Sequence, residues 1–168
     1  MSRQAGFTNE QGQKTGVGAP DLPPRVIILD PELSRFTPQR LWLSTGVRAL
    51  DHSVESLYRA NNPAPIRHLA VAALVDLFTY LPKCKANEED LEVRSRLQQA
   101  AWMSLWPSLN PAPLGLSHVL GYALGSTYSI PHGQCSCLTL GASVRLLAKK
   151  QHLSSEEVRC RLSLNLHD

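Results

Sequence analysis

The most informative stretch of the sequence reads Gly115-Leu-Ser-His118-Val-Leu-Gly-Tyr122-Ala-Leu-Gly-Ser-Thr-Tyr128-Ser-Ile-Pro-His132-Gly133. Its first part, residues 114–128, is predicted to be a helix whose many small side chains let a neighbouring helix or a ligand approach closely. Pro131 interrupts the helical pattern, and a further helix is predicted to reach about residue 150. His118 and His132 are too far apart in sequence to meet on one helix face, so only the tertiary fold can bring them together.

Three further helices are predicted upstream, because apolar residues recur there at helical spacing. The first of these helices is predicted to begin at Thr37-Pro38, as N-cap and first helical position, and to be interrupted at Thr45-Gly46. The second covers residues 65–81 and is ended by Pro82, and the third lies between Asn87 and Pro107. Ser154 and Glu157 form a capping box for a partial helix in the tail. The predicted fold class is mainly α, a helical bundle.

The N-terminal region is predicted to be loop-rich, with one short strand near residues 25–30, where Val26, Ile27, Ile28 and Leu29 follow one another. A lone strand needs a partner for its backbone groups. It either packs on the helices as an extended segment or belongs to a sheet that this chain lacks. We therefore expect three parts: a loop-rich segment over 1–36, a helical domain over 37–150 and a divergent tail over 151–168.

Composition narrows the function classes. The 168 residues carry a net charge of +3 with scattered basic side chains, so no basic stripe for nucleic acid is expected. No eighteen apolar residues occur in succession, and we expect no membrane span. The four cysteines are expected to be free thiols in a reducing, cytoplasmic setting. Three dispersed histidines alone are weak grounds for a metal site, since structural or surface histidines are commoner.

Two motifs give the sequence a family resemblance. The stretch from Gly115 to Gly133 resembles the histidine signature of iron-containing (group III) alcohol dehydrogenases and maleylacetate reductases. Thr45-Gly-Val-Arg48-Ala-Leu-Asp51-His52-Ser-Val-Glu55-Ser-Leu-Tyr58 is similar to the other conserved helix of that family. The resemblance implies the C-terminal helical domain of an NAD(P)-dependent oxidoreductase that acts on a small alcohol, aldehyde or keto acid.

The resemblance also implies a metal site, with Fe²⁺ or Zn²⁺ held by one Asp and three His. Carried over by position, the metal ligands are His52, His118 and His132, but the Asp position holds Arg48. A guanidinium has no lone pair to donate, so metal binding is weakened rather than excluded. Asp51 is rotated about 100° from His52 on the helix and is expected to be a poor substitute ligand.

The predicted catalytic residues are Arg48, His118 and Tyr122. Arg48 shares a helix face with His52, so it could bind a substrate carboxylate or polarise a carbonyl, as a metal-free maleylacetate-type reductase would require. A salt bridge from Arg48 to Asp51 or Glu55 is the competing interpretation. Tyr122 stands where the family often has His and could bind a substrate oxygen, although a packed aromatic role is slightly favoured.

The family's nucleotide-binding half is not recognisable in the sequence. Gly16-Val-Gly18 is predicted to be loop rather than a phosphate-binding turn, so the NAD(P)-binding residues are unknown and most of that domain is expected to be missing. The alternative to an enzyme is a truncated, non-catalytic helical domain. Exposed apolar faces would then favour association, including a homodimer.

Overall fold

The computed structural model describes residues 4–11, 14–19, 21–58, 63–106 and 115–150. In these ranges the chain is mainly helical, as predicted. The elements are β1 (Gln4–Thr8), β2 (Lys14–Gly18), α1 (Pro31–Ser34), α2 (Gln39–Leu57), α3 (Ala64–Ala86), α4 (Leu91–Ser104), α5 (Leu116–Tyr128) and α6 (His132–Lys150). The predicted helix in the tail beyond residue 150 lies outside the described residues.

The helical core lies where α2, α3 and α4 pack together. Its buried apolar side chains come from all three helices: Ala49, Leu50, Val54, Leu74, Leu77, Cys84, Val93, Leu97 and Ala100. Helices α5 and α6 pack on each other and on α2, which therefore belongs to both helix groups. Helix α3 has the length and the apolar composition of a helix that could cross a membrane, but core helices of soluble proteins also meet this criterion. In the described structure α3 packs between α2 and α4.

The predicted strand near residues 25–30 is wrong. Those residues form no strand, and Val26 and Ile28 are 75% and 83% exposed. The segment packs on the helices instead, where Gln98 donates its side-chain Nε2–H to the Asp30 carbonyl at 2.9 Å. The strands lie earlier, in a region predicted to be loop: β1 and β2 form an antiparallel hairpin in which Gln4 pairs with Gly18 and Thr8 with Lys14.

Several predicted helix boundaries also need correction. Helix α2 begins at Gln39 after Pro38 without a side-chain cap, so Thr37 is not the N-cap. It runs unbroken through Gly46, whose missing side chain leaves room for Leu81 of α3. Helix α3 continues past Pro82 to Ala86, because a proline removes one backbone hydrogen bond while the buried Cys84 still anchors the last turn in the core.

The start of α4 is set by Asp90 rather than by Asn87. The Asp90 carboxylate accepts the backbone N–H of Val93 at 3.0 Å, an N-cap contact. Arg94, on the first turn, is 1% exposed and donates to the carbonyl oxygens of Ser34 and Glu88 at 2.8 and 2.5 Å. This buried guanidinium ties α1 to α4.

Candidate active site

One face of α2 carries a group of charged and polar side chains, most of which the fold buries. Arg48, Asp51, His52 and Glu55 are spaced by three or four residues and so project from the same side of the helix. This side faces α5, which contributes Ser117 and His118, and α6, which contributes Ser136. We call these seven residues the polar cluster. It lies where α2, α5 and α6 meet, apart from the apolar core.

The centre of the polar cluster is a chain of three side chains. His118 Nδ1 lies 2.7 Å from Glu55 Oε2, and His118 Nε2 lies 3.0 Å from His52 Nδ1. Glu55 and His118 are buried, whereas His52 is only partly buried. The chain therefore leads from a buried carboxylate through a buried imidazole to a histidine nearer the surface.

The Glu55 carboxylate is also held at the N-terminal end of α5. Its Oε1 accepts the backbone N–H of His118 at 3.2 Å. A carboxylate is favoured there by the unpaired N–H groups and the positive end of the helix dipole. Gly115, which precedes the helix, leaves the necessary space, because a Cβ at that position would overlap the Glu55 carboxylate.

Asp51 forms the second centre of charge. It is fully buried, and its Oδ2 accepts the hydroxyl protons of Ser117 and Ser136 at 2.8 and 2.6 Å. His118 Nδ1 and Arg48 Nη1 are each 3.6 Å from the same oxygen. Asp51 thus joins all three helices of the site, although the sequence reasoning set it aside.

Arg48 is the cation of the cluster. It is 8% exposed, and its Nη1 donates to Ser136 Oγ at 2.9 Å, beside the Asp51 carboxylate. The close approach of α5 depends on Gly121, where an added Cβ would lie 3.8 Å from Arg48 Nη1 and 3.2 Å from Cys135 Cβ. Arg48 thus contacts Ser136 and Asp51, and the second contact is the salt bridge that the competing interpretation of Arg48 predicted.

The pKa values of the buried groups shift in different directions. Burial lowers the pKa of the Arg48 guanidinium, and the negative charges of Asp51 and Glu55 oppose that change. Burial raises the pKa of Asp51, although the Ser136 hydrogen bond and the charge of His118 favour its ionised form. Burial alone would raise the pKa of Glu55, but the contacts with His118 hold it below its ordinary value.

The predicted site residues fall into two groups. Arg48, His52 and His118 belong to the polar cluster. Tyr122 and His132 are exposed and face each other, with ring centroids 6.2 Å apart. Asp51, Glu55 and the two serines are site residues that the sequence did not predict; it offered the two acids only as salt-bridge partners of Arg48. The available signal for the two acids was their helical spacing from Arg48, because Asp51 and Glu55 follow it by three and seven residues on the same helix. Nothing in the sequence distinguishes Ser117 or Ser136 from other helix serines.

The described residues do not fit the metal that the resemblance implies. Arg48 holds the position of the Asp ligand, and both ring nitrogens of His118 already face protein groups. Asp51, Glu55 and His118 could offer ligand atoms within 4.8 Å of one another, but Arg48 lies among them. Gly16 and Gly18 lie in strand β2 and open no helix, so they do not form a phosphate-binding turn.

The fold and the cluster together define a class of protein, an α-helical domain with a buried histidine-carboxylate centre. Residues 42–166 match the Fe-containing alcohol dehydrogenase family, C-terminal part, and the chain belongs to that family. The resemblance stated from the two sequence motifs is confirmed.

Individual relatives include both enzyme types named above. The chain is 33% identical over 136 residues to the NAD-dependent methanol dehydrogenase of Bacillus methanolicus, covering 79% of this chain and 35% of that one. It is 33% identical over 135 residues to the maleylacetate reductase of Burkholderia cepacia, covering 80% and 38%. The iron-containing alcohol dehydrogenase structure from Thermococcus thioreducens superposes with a TM-score of 0.79 at 28% identity, covering 95% and 40%. The chain thus spans little more than a third of these curated relatives.

Proposed function

We propose that this chain is the substrate-side half of an NAD(P)-dependent oxidoreductase that interconverts a small alcohol with its aldehyde, ketone or keto acid. The observation that carries this proposal is the chain Glu55–His118–His52, which ends on a partly buried histidine. Reduction of a carbonyl requires a hydride at carbon and a proton at oxygen. A nicotinamide cofactor supplies the hydride, and residues beyond the described helices would bind it.

The polar cluster is suited to supply the proton. In the proposal His52 donates it to the substrate oxygen and recovers it from His118, to which it is hydrogen-bonded. Glu55 holds the His118 ring in position through the 2.7 Å contact between its Oε2 and His118 Nδ1. In the direction of alcohol oxidation the same groups accept the proton, as microscopic reversibility demands.

Arg48 and Tyr122 have different roles in the proposal. Arg48 contacts Ser136 and Asp51, so it contributes positive potential to the site and does not bind the substrate directly. Tyr122 is 49% exposed and lies beside His132, where its hydroxyl could bind the substrate oxygen. A cytoplasmic location belongs to the same proposal, because the named relatives are metabolic dehydrogenases and reductases.

The test is a reductase assay on the chain alone and fused behind the upstream part of the Burkholderia cepacia maleylacetate reductase. Loss of NADH or NADPH absorbance is followed with small aldehydes and keto acids, including maleylacetate. We expect the fusion to be active and His52→Asn to lower kcat by about 10²–10⁴-fold. His68→Asn, which changes an exposed histidine on α3, should have no effect. An active fusion that is indifferent to His52→Asn would disprove the assigned proton route.

A non-catalytic helical domain is the second candidate. It is favoured by apolar side chains that the described fold leaves open, such as Ile28, Leu33 and Phe36, which are 83%, 66% and 86% exposed. Such a surface favours association, and a homodimer is one form of it. A fusion that folds and binds NADH but reduces no substrate in the panel would support this candidate over the enzyme.

A further inference from the structure

The polar cluster contains the donor groups of a divalent-cation site. Asp51 and Glu55 are 0% and 5% exposed, and with His118 they could place three ligand atoms within 4.8 Å of one another. Two carboxylates buried this deeply need compensating positive charge, because the loss of hydration is not recovered otherwise. A metal ion or a cationic side chain could supply this positive charge.

Arg48 occupies the position of that cation. Its Nη1 is 3.6 Å from Asp51 Oδ2, and Ser136 bridges the two side chains, accepting from Arg48 at 2.9 Å and donating to Asp51 at 2.6 Å. This closed triangle fixes the guanidinium among the three helices. Because an arginine side chain stays protonated and has no lone pair, it compensates charge without being a ligand.

A divalent ion would compete with Arg48 for the same oxygen. Asp51 Oδ2 already accepts two hydroxyl protons and faces the Arg48 guanidinium and the His118 ring, and His118 Nδ1 lies against Glu55. The ion and the Arg48 guanidinium are both positive, and they repel each other strongly in this buried cluster because little water is present to screen them. An ion at Asp51 Oδ2 would therefore meet the repulsion of the Arg48 guanidinium 3.6 Å from the same oxygen.

We propose that Arg48 is a built-in cation that takes the electrostatic place of a divalent metal in this centre, so that the folded chain has no structural need for one. The Arg48→Asp variant should then need a bound divalent ion for stability, which the wild type does not. A third carboxylate, one helical turn before His52, would leave the cluster short of positive charge and able to take up Zn²⁺ or Co²⁺. This inference concerns charge balance and does not depend on the proposed catalytic function.

The experiment compares the wild-type chain with Arg48→Asp, Arg48→Lys and the matched control Arg40→Asp. Arg40 also lies on α2 and also bonds to α6, through Gln134 Oε1 at 3.2 Å, but it is exposed. Thermal unfolding is measured in chelator and with added Zn²⁺, and Co²⁺ binding is followed by visible absorption. Zinc content is measured after desalting.

We expect the wild type, Arg48→Lys and Arg40→Asp to unfold at temperatures that do not change between chelator and Zn²⁺. Arg48→Asp should unfold at a lower temperature in chelator and recover with Zn²⁺, retaining about one ion per chain. A wild type that is destabilised by chelator, or that binds Co²⁺ in a manner abolished by Asp51→Asn, overturns the inference. If Arg48→Asp does not fold in either condition, Arg48→Lys decides: a Lys variant that needs Zn²⁺ for stability also overturns it.

Discussion

Replacing Glu55 by Gln tests whether the buried contact with His118 stabilises the fold. Gln keeps the shape and one acceptor oxygen, but it cannot carry the negative charge that faces His118 Nδ1 at 2.7 Å. Its amide oxygen can still accept the backbone N–H of His118, which Glu55 accepts at 3.2 Å. The loss is therefore a single charge-assisted contact, for which about 1.5–3 kcal/mol is expected.

That loss should be visible in thermal unfolding. For a chain of this length 1 kcal/mol corresponds to about 2–4 °C, so Glu55→Gln should lower Tm by about 3–12 °C at pH 7. The matched control is Glu92→Gln, an exposed glutamate on α4, with an expected change within about 0.5 kcal/mol. A Glu55→Gln variant that unfolds at the same temperature as the control would show that the His118 contact contributes no stability.

The pH dependence gives an independent check on the same contact. Because the pKa of Glu55 is lower in the folded chain than in the unfolded one, its stabilising effect is complete above the unfolded value, about 4.3. It is lost as the pH falls through the lower, folded value. The difference in Tm between wild type and Glu55→Gln should therefore be largest near pH 7 and shrink as the pH falls below about 4. A difference that grows at low pH would contradict the assigned ionisation.

Three further substitutions test the packing around the site. Leu77→Ala, at a fully buried position between α2 and α4, should cost about 2–5 kcal/mol in urea unfolding. Gly115→Ala should cost about 1–3 kcal/mol, because its Cβ displaces the Glu55 carboxylate, and the loss should largely vanish when the change is made in Glu55→Ala. Arg94→Met should cost about 1–3 kcal/mol, because it leaves the carbonyl oxygens of Ser34 and Glu88 without their donor.

The helices were predictable from sequence because their apolar spacing and their packing agree. Helices α5 and α6 begin and end close to the predicted residues on either side of Pro131. The errors arose where a local signal was read without its tertiary context. Gly46 was expected to interrupt α2, yet it is a packing position for Leu81, and Pro82 was expected to end α3 while the core retains the turn that follows it.

The strands were not predictable from sequence, as the hairpin β1–β2 and the segment near residues 25–30 show. A run of Val, Ile and Leu favours a strand, but pairing depends on a partner that sequence patterns do not reveal. Val26–Leu29 finds none among the described residues, and the chain is tied to α4 at the next residue, Asp30, by the Gln98 side chain. The paired strands contain three of the chain's glycines, Gly6, Gly16 and Gly18, so their composition indicated a loop.

The interpretation of Asp51 shows why the site was only partly predictable. On a single helix Asp51 and His52 diverge by about 100°, which is why Asp51 was expected to be a poor substitute ligand. Both residues still lie on the broad side of α2 that faces α5 and α6, where a side chain of another helix can contact the two of them together. His118 makes that connection, since it lies 3.6 Å from Asp51 and 3.0 Å from His52. Arg48 fits the same surroundings because Asp51, three residues further along α2, balances its charge at 3.6 Å, which is the salt bridge that the sequence offered as the competing interpretation.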